Sequence, residues 1–192
     1  MEQTLPFDVE RCNPNMDNEH PDPKCKNCMR LSDHPWQTFE VTRIQSVMCL
    51  DPGTNTGVAM YIGGKLSTLT TIDPSQIQNH IREFRPDFVI YEDSRLQSNV
   101  WCAKVANNRA SQLKIARNLG EIDAWCKLIV SVCGWSKTPA HGISPQNKGK
   151  KLDAKKFYCA TGWDGRSNQH ERDAAMLFHA SFVARAAFAT GA

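Results

Sequence analysis

Two strand-length apolar runs, Ser46–Leu50 and Phe88–Tyr91, each deliver an acid at their far end: Asp51 before a Pro-Gly turn, and Glu92 followed by Asp93. Continuous apolar runs of this length, bounded by turn residues, are what a strand buried on both faces requires. A third acid enters differently. In Gly162-Trp163-Asp164-Gly165-Arg166-Ser167-Asn168-Gln169-His170-Glu171-Arg172-Asp173-Ala174-Ala175, His170 and Asp173 lie three apart at the start of an apolar-periodic helix. That spacing projects both side chains from one face. Strand alternation turns Asp93 away from whatever Glu92 faces. Three separate elements ending on carboxylates point to a site for a hard cation.

The pattern around these runs predicts a mixed α/β sheet. Strands are expected over about 46–51, 57–62 and 65–72, the last two joined by the Gly63-Gly64 hairpin. Asp73-Pro74-Ser75 opens a short helix to Phe84 that Arg85-Pro86 breaks, and the strand 87–91 follows. Apolar spacing then predicts a long helix over 99–133, with Gly120 as a kink or close-packing point. A short strand at 139–143, a loop at 144–149, a helix at 151–161 ended by Gly162, and a final helix over 169–187 complete the chain. At 192 residues there is room for one such domain, taken as 41–192, and a small N-terminal segment, 1–40.

No run of 18 apolar residues occurs and the first residues lack a secretory pattern, so a soluble, cytoplasmic protein without a membrane partner is expected. Cys49, Cys102, Cys126, Cys133 and Cys159 sit in apolar stretches, as reduced core cysteines do. The remaining three, Cys12, Cys25 and Cys28, fall in a segment rich in Pro, Asn and Asp that cannot bury a core unaided. Cys25-x2-Cys28 has knuckle spacing, and a closed tetrahedral zinc site would staple the segment. His20, which lies within the span of the cysteines, or alternatively His34, supplies the fourth ligand.

Charge is unevenly spread. Residues 1–40 hold eight acids against four bases, which leaves −4 there and therefore +7 on the rest of a chain whose total is +3. The stretch 136–166 carries seven bases and two acids. Basic residues beside a carboxylate cluster suit a polyanion held by lysines, although a solvated lysine-rich face has the same composition. Lys148, Lys150, Lys151 and Lys155 are the candidate phosphate contacts, with Lys151 and Lys148 nearest the chemistry. Trp101, Trp135 and Trp163 are candidates for stacking on unpaired bases or for packing.

Phosphodiester hydrolysis at neutral pH needs an activated water and stabilised charge on the leaving oxygen, which two Mg²⁺ ions about 3.5–4 Å apart supply. Asp51 would bridge them, Glu92 would hold one, and His170 with Asp173 would complete the other side. Each residue also has an ordinary role: Asp51 in a turn, Glu92 paired with Arg95, His170 exposed, Asp173 serving the helix dipole.

Taken together, Asp51-Pro52-Gly53 with Thr56-Gly57-Val58-Ala59, the strand ending in Glu92, and His170-Glu171-Arg172-Asp173-Ala174-Ala175 resemble the RuvC-like Holliday-junction resolvases of the ribonuclease H-like superfamily, in a form often seen in phages. The resemblance covers about 45–188. It implies a ribonuclease H-like mixed five-stranded sheet flanked by helices, and catalysis by Asp51, Glu92, His170 and Asp173 with Mg²⁺ or Mn²⁺. The expected substrate is branched DNA such as a four-way junction, cut by a homodimer with no small-molecule cofactor, in a bacterial cytoplasm if phage-encoded. The N-terminal cysteine segment departs from the family's usual chain. Other superfamily nucleases acting on flaps or RNA, and a DNA-binding module without catalysis, share these features. A sugar-kinase-like ATPase needs a second lobe for which 192 residues leave no room.

Overall fold

The pleat of the first strand decides which way the chain's acids face. In the computed structural model, which describes residues 44–97, 109–181 and 184, β1 (Ser46–Asp51) runs through the middle of a five-stranded sheet. It pairs antiparallel with β2 (Thr56–Ile62), which pairs antiparallel with β3 (Lys65–Ile72). On its other side β1 pairs parallel with β4 (Phe88–Glu92), and β4 pairs parallel with β5 (Ala140–Ile143). The order β3-β2-β1-β4-β5, with helices on both faces, is the ribonuclease H-like arrangement.

Alternation sorts the core into two layers. Val47 and Cys49 of β1, with Phe88 and Ile90 of β4, pack against the final helix, α4 (Gln169–Ala180), through Ala174, Ala175, Leu177 and Phe178. Met48 and Leu50, with Val89 and Tyr91, face α1 (Ile77–Phe84) and the long helix α2 (Arg109–Ser136). The buried positions of α2, Cys126, Ile129, Val132 and Cys133, recur at helical spacing. The helix α3 (Ala154–Thr161) adds Phe157 to the α4 layer. Its start is three residues later than the pattern predicts because Asp153 caps it, accepting from the Lys156 amide at 2.8 Å.

The final helix is fixed at both ends of its contact with the sheet. The Tyr61 ring stacks on Phe178 with centroids 3.8 Å apart, and its hydroxyl donates to the Ala175 carbonyl. At the helix start Asn168 and Glu171 form a capping box, and both also bond Thr71 of β3.

Two expectations need correcting. Cys159 is exposed on α3 rather than in the core, since Phe157 is the residue of that turn aimed at the sheet. Gly120 meets open space, so close packing is not its role. Trp135 is exposed, whereas Trp163 packs partly buried against the α4 layer. Trp101, Cys102 and the N-terminal Cys/His residues Cys12, His20, Cys25, Cys28 and His34 lie outside the described residues, as does the boundary between 1–40 and 41–192. Among the described residues no helix is long and apolar enough to cross a membrane.

The parallel β1–β4 pair is latched at its start by Asp87. Its Oδ2 accepts from the Gln45 and Ser46 amides at 3.0 and 2.8 Å and from Ser46 Oγ at 2.8 Å. Desolvation alone would raise its pKa, but the Ser46 and Gln45 bonds outweigh it and hold the carboxyl below its ordinary value. A lowered carboxyl pKa contributes stability above the unfolded value and loses it as pH falls through the folded one. Asp87→Ala is therefore expected to cost about 1 kcal/mol at pH 7, allowing for the site's exposure. In urea melts the difference from the parent should shrink as the solution is acidified below the carboxylate range.

Candidate active site

Asp51 follows Cys49 on the α4 face of β1, and Glu92 follows Ile90 on the same face of β4. The two strands are in register to Leu50–Tyr91, so the acids sit one step beyond the last pair, side by side at the carboxyl ends of parallel strands. In open α/β sheets that is where ligands bind. Asp93, one residue on, faces the other way. It is buried, takes a two-pronged ion pair from Arg95 with both bonds at 2.8 Å, and accepts from the Tyr91 hydroxyl at 3.2 Å. Arg95 thus pairs with Asp93, leaving Glu92 to the site.

The approach of α4 depends on a missing side chain. Gly57 is the register partner of Asp51, and a Cβ built there would lie 2.1 Å from the His170 carbonyl oxygen. With hydrogen in that place, the first turn of α4 lies directly on β2 and brings His170 and Asp173 beside Asp51. His170 Nδ1 is 3.7 Å from Asp51 Oδ2, with its ring half exposed. Asp173 is buried, and Gln169, one helical turn earlier, donates to its Oδ1 at 2.6 Å. Arg172 reaches the other way, bonding the Leu152 and Ser167 carbonyls and tying the loop before α3 to the helix.

That loop supplies the cation. Lys148 Nζ stands 3.2 Å from Asp51 Oδ1 and 3.7 Å from Asp173 Oδ2, and forms an ion pair with Glu92 Oε2. Its side chain is only 12% exposed. Burial would lower the Lys148 pKa, but Asp51 and Glu92 outweigh it and raise it, so the ammonium stays charged. One positive charge among three carboxylates leaves negative charge uncompensated. Burial first, and then the charge of Asp51, accordingly push Glu92 up to about 7 against the opposing pull of Lys148.

The structure thus brings Asp51, Glu92, His170 and Asp173 together. Lys151 is at the rim, 3.9 Å from Asp173 Oδ2 and 73% exposed, and Lys150 and Lys155 are exposed nearby in sequence. The sequence pattern assigns Lys148 to phosphates; its ammonium lies instead at the centre of the carboxylates. Gln169 was not anticipated, though its position four residues before Asp173 on a helix is a readable signal.

The donor set suits a divalent hard cation: three carboxylates from three elements surround one cationic position, and Glu92 Oε2, shut off from water, has the ammonium against it but no well-aligned hydrogen bond among the described residues. As the side chains stand, no group of three or more His, Cys, Asp or Glu among the described residues is arranged to hold a metal, since they are spaced around the Lys148 ammonium.

No protein family matches the chain, and no curated protein does. Among solved structures it is similar to T. thermophilus RuvC in complex with a Holliday junction substrate, at a TM-score of 0.49 and 16% identity over 76% of this chain and 95% of that one. It is also similar to a second Thermus thermophilus RuvC structure, at 0.45 and 16% with the same coverage.

Gly57→Ala tests how the site is assembled. Forcing a methyl group against backbone is expected to cost about 1–3 kcal/mol, visible as a lowered thermal midpoint by circular dichroism. A midpoint equal to that of the parent would mean that α4 does not need this close approach.

Proposed function

We propose that this chain is a divalent-metal-dependent endonuclease that cleaves branched DNA. The observation that carries the reading is the convergence of Asp51, Glu92 and Asp173 from β1, β4 and α4 on one cationic position, with His170 beside Asp51. Asp51, Glu92 and Asp173 would hold Mg²⁺ or Mn²⁺, with His170 completing the set for a second ion. Bound there, the metal supplies an activated water and stabilises charge on the leaving oxygen.

The protein's own groups do the positioning. Gln169 holds one oxygen of Asp173 and leaves the other toward the cluster. Lys151 presents an exposed ammonium at the rim, and Lys150 and Lys155, exposed and close to it in sequence, would add to a basic edge for a phosphate backbone. Selection of four-way junctions, and action as a homodimer, follow from the sequence resemblance. The same proposal places Cys12, Cys25 and Cys28, with His20 or His34, around a structural zinc in an N-terminal segment 1–40 preceding the nuclease domain 41–192.

A lysine seated among the carboxylates favours a second reading, a module that binds branched DNA without cutting it. Metal-dependent cleavage of a synthetic four-way junction, compared with linear duplex, separates the two. Cleavage of the junction in Mg²⁺ or Mn²⁺ is expected. Equal cutting of both substrates would remove the branch selectivity, and no cutting would favour the binding module.

Asp51→Asn is expected to reduce cleavage by more than the roughly 10–100-fold typical of losing an outer-shell partner, while gel-shift binding of the junction is retained. Cutting at the parent rate would refute the site. Elemental analysis of purified protein should find one zinc per chain, lost in Cys25→Ser together with solubility.

A further inference from the structure

Lys148 is a conspicuous group because its position is at odds with a phosphate contact. It lies on the loop after β5, yet its ammonium turns inward, is nearly sealed from water, and touches all three carboxylates. Lys151, three residues on, is solvated and reaches only Asp173. Cations compete for one position when the same oxygens serve both. Asp51 Oδ1, Glu92 Oε2 and Asp173 Oδ2 are the atoms facing Lys148, and they are the oxygens a hard divalent ion would take.

We infer that Lys148 is the resident counter-ion of the site: it holds Asp51, Glu92 and Asp173 together before metal arrives, and yields its place to the divalent cation, moving outward toward the rim where Lys151 stands. The inference rests on the metal-dependent reading above and deepens it. Lys148 is a positioning residue in this account. It preserves the cluster in the metal-free protein, sets a threshold that the metal must overcome, and becomes available to the substrate side only once displaced. The chain between Ile143 and Ala154 allows this, because it lies outside any helix or strand and Gly149 follows Lys148 with a positive φ of 88°.

Two measurements test the exchange, neither of them on activity. In the parent protein, acetylation of lysines with an N-hydroxysuccinimide ester, followed by peptide mass spectrometry, should show Lys148 protected without metal and several-fold more reactive in saturating Mg²⁺. Lys155 and Lys156, both exposed, should be unchanged. Equal protection of Lys148 with and without Mg²⁺ while the protein demonstrably binds the ion would overturn the inference and leave the metal site standing.

The second measurement is Mn²⁺ titration calorimetry on Lys148→Met, with Lys151→Met as the control that removes equal charge from the rim. Lys148→Met should melt lower than the parent without metal and bind Mn²⁺ about tenfold more tightly, roughly 1.4 kcal/mol. Lys151→Met should change affinity less than about twofold, as expected for a solvent-screened charge. Equal gains in both variants would make the effect one of net charge and overturn the exchange. Failure of the parent and both variants to bind Mn²⁺ would overturn the metal-dependent reading and this inference with it. Were Lys148→Met to fail to fold, the acetylation result on the parent protein would decide alone.

Discussion

Like charges can be brought together in a protein interior only with a counter-charge or by neutralising one of them, and this chain brings three carboxylates together. Asp51, Glu92 and Asp173 come from elements that the core packs independently of their charge: β1 and β4 are joined by their apolar pleats, and α4 is held to the sheet by Tyr61, Phe178 and the close approach at Gly57. Hydrophobic packing therefore imposes the cluster, and electrostatics must accommodate it. The accommodation takes two forms. A lysine is drawn in from the loop after β5, and Glu92 is pushed toward its protonated form. Both leave a site that a stronger cation would relieve.

Much of this geometry was legible in the sequence because it follows from short-range periodicity. Apolar runs of four or five residues mark β1 and β4, and a period of two then places Asp51 and Glu92 on one face and Asp93 on the other, as the Asp93–Arg95 pair in the structure bears out. The i, i+3 spacing of His170 and Asp173 read correctly as one helix face, and the capping pair Asn168 and Glu171 marks where that helix begins. Even the order of strands was constrained, since the Gly63-Gly64 hairpin makes β2 and β3 neighbours and the helix before β4 permits a parallel return.

What was not legible depends on where loops return in three dimensions. Nothing in the local sequence of Lys148 distinguishes it from Lys150 or Lys151, yet one is internal and the others are solvated. The difference arises because β5 pairs with β4 so that Ile143 lies opposite Glu92, which starts the loop beside the acids, and because Arg172 then ties Leu152 to α4. Lys148 is caught between these two anchors. The exposure of Cys159 has a similar origin, since a short helix with one buried aromatic, Phe157, leaves its neighbours to solvent whatever their apolar character.

The lysines around the site also form a graded series. Side-chain exposure rises from 12% at Lys148 to 73% at Lys151, and Lys150 and Lys155, close by in sequence, are exposed as well. A polyanion approaching from solvent would meet the solvent-screened charges first, where association is fast and weakly selective. Only a phosphate carried further in reaches the carboxylates, and there the net charge would repel it unless a divalent cation had altered the balance. Under the proposed function, the same arrangement of charges would let DNA gather at the rim and would make entry to the centre conditional on metal, coupling binding to chemistry without requiring any element of the sheet to move.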